Sequence, residues 1–278
     1  MNRRTLLRNL ALGCGGALLL HNSAVRSAAK KLSKIGLQLY TVRRELARDF
    51  AGTLREIAAL GIDEVEFAGY FDQKPAQIRA LLKSLKLAAP AAHIGTQTLR
   101  TALPQAIEDA RRIGHRYLIL GYLPEEERRS LDDYKRIIEL LGKAGDECRR
   151  AGLQFAYHNH DFEFKPLENK IPYDLILAGT DAEKVKMELD LYWISKAGRD
   201  PLAYLEKYPR RFPLVHVKDM DATPQKAFSE VGRGVIDFKK IFSTGGGVRH
   251  FFIEQDITPA APLESVRESL KYLRGLKF

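Results

Sequence analysis

The sequence predicts a single (β/α)8 TIM barrel. From Lys34 onward, short apolar runs alternate with longer amphipathic ones, and the alternation repeats eight times. The ionisable residues gather where the apolar runs end. Strand–helix alternation implies a parallel sheet. Eight units close into a barrel of roughly 250 residues, and the chain has 278. A doubly wound open sheet would usually carry a Gly-rich phosphate turn after its first strand. Here the first run leads into "QLYTVRRE", which has none.

The elements follow in order. "KIGLQLYT" (34–41) is the first strand, and the helix after it stops at Gly61, a good C-terminal residue. "DEVEFAGY" (63–70) is the second strand, and its helix carries Pro75 in the first turn. "LAAPAAHIG" (87–95) is the third, weakened by its alanines, and "RYLILGYL" (116–123) the fourth. A long helix leads to the fifth, "LQFAYHNH" (153–160), which is followed by the short helix "IPYDLILAG". "VKMELDLYW" (185–193) is the sixth, followed by a helix with Asp200 as N-cap and Pro201 at its first position. "FPLVHVKD" (212–219) and "RHFFIEQD" (249–256) complete the eight. The segment 220–235 is the longest non-helical insertion after a strand.

Residues 1–29 stand apart as an export signal. Arg3, Arg4 and Arg8 precede an apolar stretch from Leu10 to Leu20, and small residues follow at Ser27, Ala28 and Ala29. Gly13, Gly15 and Gly16 argue against an ordinary first helix. The Arg3–Arg4 pair resembles a twin-arginine signal, which implies a periplasmic protein. Lipidation at Cys14 is a weaker reading, because most of the apolar stretch follows it. Residues 30–278 then form the barrel. Loss of Arg3, Arg4, Arg8 and Arg26 takes the net charge from +10 to +6. Cys148 becomes the sole cysteine, so no internal disulfide forms. The remaining charge is scattered, with no Lys/Arg block beside aromatics, so charge gives little support to a nucleic-acid partner and none is expected. No interior stretch is long and apolar enough for stable membrane insertion.

In such barrels the active site lies at the C-terminal ends of the strands. The strand ends supply Gln38 and Tyr40, Glu66, His93, His158 and His160, Glu188 and Asp190 with Trp193, His216 with Lys218 and Asp219, and Glu254 with Asp256. Residues two apart in a strand share a face. His158 and His160 therefore pair, as do His216 and Lys218. A single terminal acid is usually a helix cap or a solvated residue. Four adjacent strands ending in carboxylate or imidazole point further, because buried charges are costly unless paired or bound to metal. The mixed N/O set suits one divalent ion, Mn, Co, Fe, Ni or Zn. Such an ion holds neighbouring sugar oxygens and acidifies the C–H beside a carbonyl.

"GLQLYTVR", "YHNHDFEF", "ELDLYWISKAGRDPLAYLEKYP", "LVHVKDM", "VGRGVIDF" and "FFIEQD" resemble the sugar phosphate isomerase/epimerase family with its xylose-isomerase-like barrel. The resemblance spans 34–278 and implies a metal held by Glu, Asp, His and Glu on strands five to eight. Asp190, His216 and Glu254 match the last three. The fifth strand carries His158 and His160 where the family has Glu; His158 is the expected ligand, because the Asn after it resembles the Glu-Asn form, and His160 is the alternative. With Glu254 lacking its usual carboxylate partner, His160 or Glu163 takes the acid–base role, and Lys218 stabilises an enolate. Gln38, Tyr40, Glu66, His93, His160, Trp193, Lys218 and Arg233 are the expected substrate contacts, Trp193 and Tyr40 by stacking and Arg233 by reaching over the pocket. Their ordinary roles are a salt-bridged rim, core packing or surface charge. His115 and His250 precede strands and receive no catalytic role.

The resemblance implies a sugar isomerase or epimerase. Export, and the absence of an Arg cluster or anion nest, favour a non-phosphorylated carbohydrate. Elimination is the alternative, as in a dehydratase or an enzyme that cleaves 3-keto-glycosides. A non-catalytic periplasmic sugar-binding protein is the third reading, and it needs no metal.

Overall fold

A computed structural model describes residues 29–245, 247–258 and 261–278. The export-signal reading of 1–29 falls almost wholly outside them. Eight parallel strands close a barrel in sequence order: β1 (Gly36–Gln38), β2 (Glu64–Phe67), β3 (Ala88–Ile94), β4 (Tyr117–Leu120), β5 (Gln154–His158), β6 (Val185–Asp190), β7 (Leu214–Val217) and β8 (His250–Ile253). β8 pairs with β1 through Gly36 opposite Phe252 and Leu37 opposite Ile253.

Two apolar clusters hold the barrel. The large one lies between strands and helices. The small one, Ala91, Tyr117, Ile119, Ala156, Leu214 and Phe252, fills the barrel interior. It gives a reason for Ala91 on β3 and Ala156 on β5, which leave room for Tyr117 and Phe252. Gly36 does the same, since a Cβ there would lie 2.3 Å from the Phe252 ring. With its lower interior plugged, the barrel offers its C-terminal end to polar side chains.

Helix ends follow their local signals. Gly61 and Gly114 terminate helices in the left-handed region, at φ 88° and 107°. Ser130 and Asp133 form a capping box at the helix Leu131–Arg150. All eight strands stop earlier than the apolar runs predict, and at β5 and β6 a local turn takes over. β6 ends at Asp190, whose carboxylate accepts from Trp193 N and caps the helix Leu191–Lys196, so Trp193 is helical. β5 ends at His158, and Phe162–Phe164 form a 3-10 turn. In the long insertion Asp219–Met220 pairs with Phe228–Ser229 as a two-stranded ribbon. No described helix is long and apolar enough to cross a membrane.

Candidate active site

The C-terminal end of the barrel carries two layers of buried ionisable groups that share His216. In the upper layer, His158, Asp190, His216 and Glu254 each bring one ligand atom, all within 4.8 Å of one another. In the lower layer Glu66, His93, Glu188 and His216 do the same. Strand register builds both, with His158 opposite Glu188 and Asp190 opposite His216. Asn159, the residue that marks the Glu-Asn form in the sequence, ties the end of β5 to β6: its Oδ1 accepts from Asp190 N at 3.0 Å.

The lower layer is knitted by hydrogen bonds. His216 Nε2 meets Glu66 Oε2 at 2.6 Å, and His93 Nε2 meets Glu188 Oε2 at 2.7 Å. Gln38 Nε2 donates to Glu66 Oε2 at 2.7 Å. Burial opposes the ionised form of Glu66, but His93 and His216 hold its carboxyl well below the usual range. Burial likewise opposes an imidazolium at His93, yet Glu66 and Glu188 lift it to about 9.

In the upper layer, His158 Nδ1 faces the Gly121 carbonyl at 3.2 Å, which leaves Nε2 toward Asp190 Oδ2 at 3.3 Å. His216 Nδ1 and Glu254 Oε2 lie 2.6 Å apart, both buried, without the geometry of a hydrogen bond. Buried polar atoms normally find partners. A buried imidazole nitrogen without a hydrogen bond, aimed at a carboxylate oxygen that, among the other described residues, Lys218 alone approaches, fits a divalent ion, and so does the mixed N/O donor set. His158, Asp190, His216 and Glu254 would hold it, with Gly121 O and Glu66 orienting the two imidazoles from behind. Bound there, a divalent ion supplies a Lewis acid for a carbonyl or hydroxyl oxygen.

Lys218 Nζ stands 3.0 Å from Asp190, 2.7 Å from Glu254 and 2.8 Å from Asp256. Burial works against its ammonium, but the three carboxylates raise it well above the ordinary lysine range. The imidazole of His160 is held neutral by burial first and Lys218 second, which push it down to about 3. Its ring stacks on Phe162 at 5.4 Å and lies 4.9 Å from His158. Above the cluster opens a cavity of about 700 Å3, onto which Tyr40, His93, His158, His160, Lys218 and Asp256 face.

Four expected contacts stand elsewhere. Gln38 and Glu66 are buried beneath the cavity, spent on the His216 network. Arg233 turns away from the cavity to Glu268 at 2.7 Å. It does so because Asp219 gathers the amides of Gly232, Gly234 and Ile236 around its carboxylate, which faces the side chain between them outward. Trp193 packs against Phe228 and His160 and sits beneath Lys218. Glu163, expected as an acid–base group, is fully buried. It accepts from Tyr157 Oη at 2.6 Å and His160 N at 2.8 Å, and so positions His160. His250 pairs with Glu64 and His115 with the Ala89 carbonyl, away from the cluster. Glu188 was visible to alternation beside Asp190. Its place in the lower layer was not, because that depends on partners from β3 and β7.

Residues 54–274 match the family described as xylose isomerase-like TIM barrel. The chain belongs to that family. Among curated relatives, the inosose dehydratase of Lacticaseibacillus casei is 28% identical over 163 residues, covering 51% of this chain and 54% of that protein. The chain thus spans about half the length of the first curated relatives it matches. A solved sugar phosphate isomerase/epimerase from Parabacteroides distasonis ATCC 8503 superposes with a TM-score of 0.75 at 25% identity, covering 89% of this chain and 96% of that one. A solved IOLI protein with a binding zinc atom shares the fold, with a TM-score of 0.68 at 14% identity, over 86% of this chain and 95% of that one. The match to the family covers every strand of this xylose isomerase-like barrel except β1.

Proposed function

We propose that this protein is a metal-dependent enzyme that removes the proton beside a carbonyl of a non-phosphorylated keto-sugar or cyclitol and completes the reaction by β-elimination. The observation that carries it is the convergence of His158, Asp190, His216 and Glu254 on the floor of the cavity, with His160 and Lys218 beside them. His160 lines the cavity beside the cluster and is the imidazole placed to take the proton. The Lys218 ammonium, fixed by three carboxylates, stabilises the negative charge that develops on oxygen and donates to the departing oxygen.

The balance needs no oxidant. The C–H electron pair becomes a C=C bond, and the β-carbon–oxygen bond breaks with its own pair. The oxygen then leaves with a proton. The likeness to inosose dehydratases supports elimination. Isomerisation or epimerisation, supported by the Parabacteroides structure, shares the first step and returns the proton to carbon. Export through a twin-arginine signal to the periplasm belongs to the same proposal, resting on residues 1–29 alone.

The product mass separates the reactions. Full-length protein loaded with Mn, Co or Zn is incubated with 2-keto-inositol and with 3-keto-glucosides. Loss of water or of an aglycone establishes elimination, whereas conserved mass with deuterium uptake from solvent establishes isomerisation. No exchange with any metal, in a protein that still binds sugar, would leave the binding-protein reading.

A further inference from the structure

The cavity does not end at the ionisable cluster. It continues as an arm between the loop after β2 and the helix Leu103–Ile113, lined by Ala68, Tyr70, Gly95, Ala102, Ala106 and Asp109. Three properties of the arm bear on its occupant. It is wide, because small residues line it, and a Cβ at Gly95 would meet nothing within 4 Å. It has a fixed aromatic wall: the Tyr70 ring stacks on His115 at 6.0 Å and 10° and packs on Phe67 at 5.7 Å. It also offers no cation. Among the described residues lining the cavity, Lys218 is the sole lysine or arginine, and Asp190, Glu254 and Asp256 already surround it. The arm's own ionisable group, Asp109, is an acid.

The whole cavity, about 700 Å3, lies in the upper part of the roughly 300–1,000 Å3 range that encloses drug-sized ligands. One sugar ring leaves much of it empty. A phosphate in the arm would meet the Asp109 carboxylate and no lysine or arginine of the described lining.

We propose that the arm is a second subsite for the ring-bearing aglycone of a neutral glycoside whose keto-sugar sits at the cluster. The aglycone ring lies against Tyr70, with the glycosidic oxygen placed between arm and cluster, where elimination expels it. This rests on the reading of the cluster as a keto-sugar site, but the occupant of the arm is testable by binding alone.

Calorimetric titration of the full-length protein would compare three probes: 4-nitrophenyl β-glucoside, methyl β-glucoside and glucose 6-phosphate. The aryl glucoside should bind at least tenfold tighter than the methyl glucoside, and the phosphate no tighter than the methyl glucoside. In Gly95→Leu, which fills the arm, the aryl preference should fall to within twofold. In Gly95→Ala it should persist, with unchanged melting in both variants showing an intact fold. Equal affinity for aryl and methyl glucosides, no aryl binding, tightest binding of the phosphate, or a preference untouched in Gly95→Leu would each overturn the proposal. These ratios do not depend on turnover. Absence of proton exchange with a keto-sugar would instead sink the reaction and leave the arm's occupant standing or falling on its own data.

Discussion

Glu163 offers a quantitative check on how the structure assigns roles. Its carboxyl is fully buried, and burial pushes it up to about 7 from an ordinary 4.5, against the pull of the Tyr157 hydroxyl and the His160 amide. The protonated form is therefore favoured in the folded chain. A raised acid contributes stability that is complete below pH 4.5 and is lost as pH rises through 7. At about 1.4 kcal/mol per pH unit, the loss across that window is roughly 3 kcal/mol. For a chain of this size that corresponds to about 6–12 °C in Tm. Gln at this position keeps an acceptor for His160 N and a donor for the Tyr157 oxygen, but does not titrate. Parent and Glu163→Gln would be melted in chelator at pH 4.5, 6 and 8. The variant should gain on the parent by about this amount between the first and last pH. A difference that stays flat with pH would refute the buried, protonatable carboxyl. Loss of bound metal in Glu163→Gln would refute the positioning role and make Glu163 a ligand.

Three further outcomes are expected. Asp190→Ala should abolish binding of zinc or manganese in a direct titration, whereas Glu66→Gln, which loosens only the grip on His216 Nε2, should weaken it about 10–100-fold; equal losses would place Glu66 among the ligands. Gly234→Ala should cost about 1–3 kcal/mol in urea melts, because its Cβ would fall 2.3 Å from Asp219 Oδ1 and from the Met220 carbonyl; an unchanged midpoint would mean that Asp219 does not hold this loop. Arg233→Ala should leave kcat/KM unaltered and stability within about 0.5 kcal/mol, since its partner is the exposed Glu268 on the far side of the loop; a fall in kcat/KM would return it to the substrate.

The sequence by itself determined the barrel, because eight alternations of period admit few other closed arrangements. It also put His158, Asp190, His216 and Glu254 at strand ends, which in this fold share one rim, while the family resemblance picked these four from the other polar residues there. What it could not decide was depth. Glu66 and Glu188 sit on the same faces as residues that reach the rim, yet they lie one layer lower, where hydrogen bonds from other strands consume them. Alternation reports which way a side chain points, not how far down the barrel it stands or who meets it there. Strand length was misjudged for a related reason: Asp190 ends β6 by capping a helix, and the competing hydrogen bond to Trp193 N is local geometry that periodicity does not register. Arg233 was lost to the same kind of long-range event, the capture of the amides around it by Asp219. The arm of the cavity belongs wholly to tertiary structure. Its small residues and Tyr70 lie in separate segments of the chain, and only closure of the barrel sets them around one space.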